Sequence, residues 1–295
     1  MYALSFNYHF LYKIMTKIGN FKLKNRFLLA PMLEPNDIAF RLLCKKCGCG
    51  LTYAGMTSPL SKQKLNLDDK PAMQIFCNSI KGIKSFMKKY NSKVSLWDLN
   101  LGCPSKLSKR LEHGAFMHKD IDKIEKILKV MRSSTKKPIT IKLRKSNYAI
   151  DIAKMSEKYV NTIGIHPRTI QQGYSGEPDY KFALKLKKSV NVPVIYSGNV
   201  NLKNADNILK DFDFVFIGRE AIGNPNIFTK LSGNKRKVDF EDYLKLAKKY
   251  KLYFRQIKYQ AMNFTKSIKS AKKIRAKLIF AKTIEEISET FKTNK

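Results

Sequence analysis

Eight short apolar runs constrain this chain more than any other feature: 27–31, 50–55, 72–76, 95–102, 138–144, 162–166, 193–198 and 214–218. They are nearly continuous in apolar or β-branched residues, as strands covered on both faces are. Amphipathic segments separate most of them, for example Ile121, Ile124, Ile127 and Leu128 behind Asp120, a candidate N-cap. Strands alternating with helices predict an α/β fold, a TIM (β/α)8 barrel. The runs also end alike, on Pro31 and Met32, Gly55 and Met56, Gln74, 100–104, Lys142 and Arg144, His166, 197–199, and Gly218 with Arg219. The C-terminal strand ends of such a barrel face its active site, so the pattern predicts one polar site at the barrel mouth.

After residue 234 the strand signals stop. Phe240, Tyr243, Leu244 and Ala247 recur at helical spacing, and Thr283 with Glu286 has the pattern of a capping box. The expected organisation is an N-terminal extension (1–16), a barrel (17–234) and a small basic C-terminal helical domain (235–295). Met15 is an alternative start, and the extension lacks the features of a secretory signal.

Charge indicates the partner. The 295 residues carry 58 Lys and Arg against 23 Asp and Glu, a formal +35, while 43% hydrophobic and 11% aromatic content is that of a folded protein. The last 61 residues alone hold 18 basic and 6 acidic side chains, about twice the charge density of the rest. Such a surplus predicts a polyanion partner such as nucleic acid. No run reaches the roughly 18 apolar residues of a membrane span. Five cysteines (Cys44, Cys47, Cys49, Cys77, Cys103) without a secretion signal fit a reducing cytoplasm, and no metal site is expected from them.

Ser197, Gly198 and Asn199 after the seventh run, with Gly218 and Arg219 after the eighth, stand where barrels commonly bind phosphate. Neither a dinucleotide glycine fingerprint nor a Walker loop is present, so a bound mononucleotide such as FMN is expected. Cys103, held between Gly102 and Pro104, is the candidate thiol, a group that can serve as a general acid.

Leu29-Ala30-Pro31-Met32, Asp37, Phe40-Arg41, Asn100-Leu101-Gly102-Cys103-Pro104, Ile141-Lys142-Leu143-Arg144, Ile165-His166-Pro167-Arg168-Thr169, Gln172-Gly173-Tyr174-Ser175-Gly176, Ile217-Gly218-Arg219 and Gly223-Asn224-Pro225 together resemble the tRNA-dihydrouridine synthases in order and spacing. The likeness covers roughly residues 17–230 and looks closest to the archaeal branch. Leu33-Glu34-Pro35-Asn36 and Ser197-Gly198-Asn199 depart from the commoner family pattern.

This resemblance implies an FMN-bound barrel that reduces the C5=C6 bond of a tRNA uridine, with NADPH or NADH as hydride donor, tRNA as partner and no obligate protein partner. It implies Cys103 as the proton donor to C5. It puts Pro31, Met32 and Leu33 along the flavin ring, Gln74 and Lys142 at its polar edge, His166 beside it, and Ser197, Gly198, Asn199, Gly218 and Arg219 on its phosphate. Asn100 is implied at the uracil edge, and Lys106, Arg168 and Tyr174 at the RNA. The alternatives are an FMN barrel acting on a free pyrimidine, as a dihydroorotate dehydrogenase does, and a non-catalytic RNA-binding protein.

Overall fold

The computed structural model describes residues 16–293, so most of the expected N-terminal extension lies outside the described residues. A hairpin of β1 (Lys17–Ile18) and β2 (Phe21–Lys22) precedes eight parallel strands. These are β3 (Phe27–Leu29), β4 (Tyr53–Thr57), β5 (Ala72–Ile75), β6 (Leu96–Leu101), β7 (Ile139–Arg144), β8 (Thr162–His166), β9 (Val194–Ser197) and β10 (Phe214–Ile217). Their order is β3-β10-β9-β8-β7-β6-β5-β4, and the Leu28–Leu51 bridge joins its two ends into a barrel. Each strand lies within one of the eight apolar runs or overlaps it.

Side-chain alternation sorts the residues of each strand. Leu28, Tyr53, Ala72, Leu96, Ile195, Phe214 and Phe216 fill the barrel interior, and Ile18 of the hairpin, fully buried, joins them. Leu29, Met73, Ile75, Leu99, Ile141, Leu143 and Ile163 belong to a second core shared with the helices. Towards the C-terminal strand ends the interior turns polar: Gln74 stands opposite Asp98, Asp98 opposite Thr140, and Asn100 opposite Lys142.

The barrel helices are α1 (Ile38–Lys46), α2 (Ile83–Tyr90), α3 (Lys106–Arg110), α4 (Ile121–Ser134), α5 (Ala149–Ser156), α6 (Tyr180–Lys188), α7 (Ala205–Asp211) and α8 (Asn226–Ser232). Asp120 does cap α4, accepting from Lys123 N at 2.9 Å. Four more helices follow: α9 (Phe240–Lys249), α10 (Phe254–Phe264), α11 (Ala271–Phe280) and α12 (Ile284–Lys292). Thr283 caps α12, but the expected reciprocal bond is not made: the Glu286 carboxylate accepts from Lys282 N instead.

These last helices share the outer core with the barrel, α9 packing on α1. Two contacts fix them there. Gln260 of α10 donates to Asp37, the N-cap of α1, at 2.9 Å. Gly223, with φ +73°, comes so near that a Cβ would lie 2.1 Å from the Asn263 carbonyl oxygen. No helix among the described residues is long and apolar enough to cross a membrane.

Candidate active site at the barrel mouth

The loop after β6 is built around one side chain. Asn100 is buried, and its Oδ1 accepts from the backbone N–H of Gly102 at 3.1 Å and of Cys103 at 3.0 Å. Its Nδ2 donates to Gln74 Oε1 at 2.8 Å, and Gln74 Nε2 donates to Asp98 Oδ2 at 2.6 Å. Asn100, expected at the uracil edge, is thus committed to holding its own loop and keeps one amide hydrogen to offer outward. Gln74, expected at the flavin edge, is engaged in the same way.

Cys103 is the one cysteine of the five that is not buried. Its Sγ lies 3.4 Å from Ser105 Oγ, and Ser105 in turn caps α3. Burial pushes Cys49 and Cys77 up to about 12, which makes them inert packing residues. Three residues that the sequence reading did not single out as site residues hold the Cys103 loop from outside. Gly114, with φ +61°, approaches so closely that a Cβ would sit 2.8 Å from the Cys103 carbonyl oxygen. His118 bonds the Leu101 carbonyl at 2.6 Å. Arg144 donates from Nε to the Gly102 carbonyl at 2.8 Å. In the sequence Arg144 stands at the end of an apolar strand and in the Ile141–Arg144 motif, with nothing local to show what it holds.

Across the mouth, cations gather. The Lys142 ammonium makes no hydrogen bond or ion pair among the described residues, and burial, with the Arg144 charge second, lowers its pKa to about 8. His166 is buried, and desolvation followed by the charges of Lys142, Arg144, Arg168 and Arg219 drives its pKa to about 2. It is therefore neutral. Its Nε2 faces Arg168 Nη1 at 3.4 Å and must accept there, so Nδ1 carries the proton towards Ser197 Oγ at 3.3 Å.

Asn199 Oδ1 accepts from Arg219 Nη2 at 2.6 Å and from Arg168 Nη2 at 3.0 Å. The backbone N–H groups of Asn199, Gly218 and Arg219 donate to no acceptor among the described residues, while that of Gly198 continues the β9–β10 ladder. Three unpaired donors beside two guanidinium groups suit a phosphate, and the unpartnered Lys142 ammonium suits an electron-rich ring edge. The donor set fits a flavin mononucleotide.

Pro31 and Met32 are half-buried beside this cradle: Ala30 N donates to the Ile217 carbonyl at 2.9 Å, next to Gly218. Leu33 is 61% exposed, Tyr174 is 60% exposed, and Lys106 is exposed at the start of α3. The Tyr174 ring meets His166 edge-on, centroids 6.0 Å apart, and the Arg144 guanidinium at 5.5 Å. Arg168 departs from the expected RNA contact. It is fully buried and spends its donors on the carbonyls of Ser175 and Gly176 and on Asn199, shaping the loop that carries Tyr174.

Residues 28–294 match the family model described as dihydrouridine synthase (Dus). The chain belongs to the dihydrouridine synthase family. It is 31% identical over 233 residues to tRNA-dihydrouridine synthase B of Pasteurella multocida, covering 72% of this chain and 70% of that one. It is 31% identical over 242 residues to a probable tRNA-dihydrouridine synthase of Rickettsia conorii, covering 74% and 72%. These relatives are bacterial, so the expected likeness to the archaeal branch is not supported. Among solved structures, the old yellow enzyme homologue of Zymomonas mobilis superposes with a TM-score of 0.57 at 12% identity, covering 77% of this chain and 94% of that one. At that identity the likeness concerns the barrel fold.

Proposed function

We infer that this member of the dihydrouridine synthase family reduces the C5=C6 bond of a uridine in tRNA to 5,6-dihydrouridine. The observation that carries the reading is the one half-exposed thiol, Cys103, set at a barrel mouth whose opposite rim holds a phosphate cradle and an unpartnered lysine. Residues 235–295, with their net +12, form the surface that grips the RNA backbone.

Gly198, Asn199, Gly218, Arg219 and, through Asn199, Arg168 would hold the phosphate of FMN; Ser197 and His166 would flank it. Pro31, Met32 and Leu33 would line the ring, with Lys142 and the free hydrogen of Gln74 at its polar edge. When bound, FMN supplies the hydride for C6 of the uracil, drawn from NADPH or NADH.

The protein's own part is positional and protonic. The Asn100 carbonyl fixes the Cys103 loop, and Cys103 delivers the Sγ proton to C5, to be replaced from solvent. Arg144 locks the loop onto β7 and the loop that follows β8, and Tyr174 and Lys106 face outward to receive an extruded base and its backbone. Neutral His166 leaves the charge balance at the mouth to Lys142 and the arginines. With tRNA as substrate and no membrane-spanning helix among the described residues, we place the protein in the cytoplasm. Purified protein should be yellow and should oxidise NADPH faster when unmodified tRNA is added; turnover on a free pyrimidine but not on tRNA would overturn the reading.

A further inference from the structure

We propose that Asp98 is a positioning residue that sets the direction of the side-chain amides of Gln74 and Asn100, and thereby the seating of the Cys103 loop. The inference rests on the reading of Cys103 as proton donor for its functional meaning, but its geometry stands alone. An ionised carboxylate can only accept hydrogen bonds. Asp98 takes one from the Thr140 hydroxyl and one from Gln74 Nε2. Gln74 must therefore turn its Oε1 to Asn100, and Asn100 must answer with Nδ2, at 2.8 Å. Only then does Asn100 Oδ1 point at the loop, where two N–H groups need an acceptor. With 1%, 1% and 5% exposure, Asp98, Gln74 and Asn100 have little solvent to repair a wrong choice.

Flipping the two amides would set Asn100 Nδ2 against the N–H groups of Gly102 and Cys103, and Gln74 Oε1 against the Asp98 carboxylate, opposing donor to donor and acceptor to acceptor. Burial raises Asp98 to about 6, with Thr140, Gln74 and the Lys142 charge opposing the rise, so it is ionised at neutral pH.

Asp98→Asn keeps the shape but lets the relay run either way. Combining Asp98→Asn with Asn100→Asp fixes an acceptor at the other end. The amide now at position 98 can donate to Gln74, Gln74 can donate to the carboxylate now at position 100, and that carboxylate can accept from both loop N–H groups. The readout is hydrogen exchange of the Gly102 and Cys103 amides in the full chain at pH 7.5, with thermal unfolding alongside. Asp98→Asn should speed that exchange by about tenfold or more, the weight of one to two net hydrogen bonds. The double variant should restore protection to near wild type, and should be more stable than Asn100→Asp alone, in which two carboxylates face one Gln74.

Unchanged exchange in Asp98→Asn, or a double variant no better protected or more stable than either single variant, would overturn the proposal. If exchange behaves as expected while Cys103→Ala still makes dihydrouridine normally, the relay stands and the assignment of Cys103 falls.

Discussion

Arg144 Nε donates to the carbonyl oxygen of Gly102 across 2.8 Å, and Nη1 of the same guanidinium reaches the carbonyls of Thr169 at 3.0 Å and Gly173 at 2.8 Å. One buried side chain therefore ties the thiol loop to the loop that carries Tyr174. Two of the most specific sequence motifs become one rigid rim.

Arg144→Met should leave three carbonyls without their donor and cost about 2–4 kcal/mol, read as a shift in the urea midpoint. Arg144→Lys should recover little of it, because an ammonium cannot reproduce the planar fork. Full recovery by lysine would show that charge alone matters there.

Cys103→Ala should keep bound flavin and tRNA affinity while dihydrouridine formation falls by about 100- to 10,000-fold, the usual weight of a positioned acid. Cys49→Ala and Cys77→Ala should instead act on stability, since both thiols are buried. Normal turnover by Cys103→Ala would remove the thiol from the mechanism.

The strand ends were legible because a polar or glycine residue finishing an apolar run is a local signal, repeated eight times. What Arg168 and Asn100 do was not. Both read as outward-facing polar groups, and their engagement depends on carbonyls and amides of loops that only the closed barrel brings near. Gly114 was equally hidden, for its need follows from how close the Cys103 backbone comes. Asp98 reads as an anomaly inside an apolar strand until Gln74 and Thr140 appear beside it.

Lys142 should make stability depend on pH. Its folded pKa, about 8, lies below the ordinary lysine value of 10.5, so burial of the charge opposes folding fully below about pH 8 and fades as pH rises towards 10.5. Lys142→Met should accordingly raise flavin-free stability at pH 7 by on the order of 1–2 kcal/mol, the gain shrinking above pH 8, while flavin binding weakens. A variant less stable at every pH would contradict the buried-cation account.

Arg219→Ala removes an exposed guanidinium that Asn199 orients. Flavin affinity should fall by about 10- to 100-fold, one charged hydrogen bond to phosphate, with riboflavin, which lacks the phosphate, unaffected. Equal losses for FMN and riboflavin would move Arg219 away from the phosphate.

If the +35 charge grips an RNA backbone, tRNA affinity should drop by on the order of 1,000-fold between 50 and 200 mM salt, for about six phosphate contacts. A flat salt dependence would reduce the charge to background.

The most direct test of the central claim is to express the protein in a host lacking its own dihydrouridine synthases and to map dihydrouridine in the tRNA. The account predicts dihydrouridine at a defined uridine with the wild-type chain and its near-complete loss with Cys103→Ala. Soluble, flavin-loaded protein that leaves every tRNA uridine unreduced would contradict it.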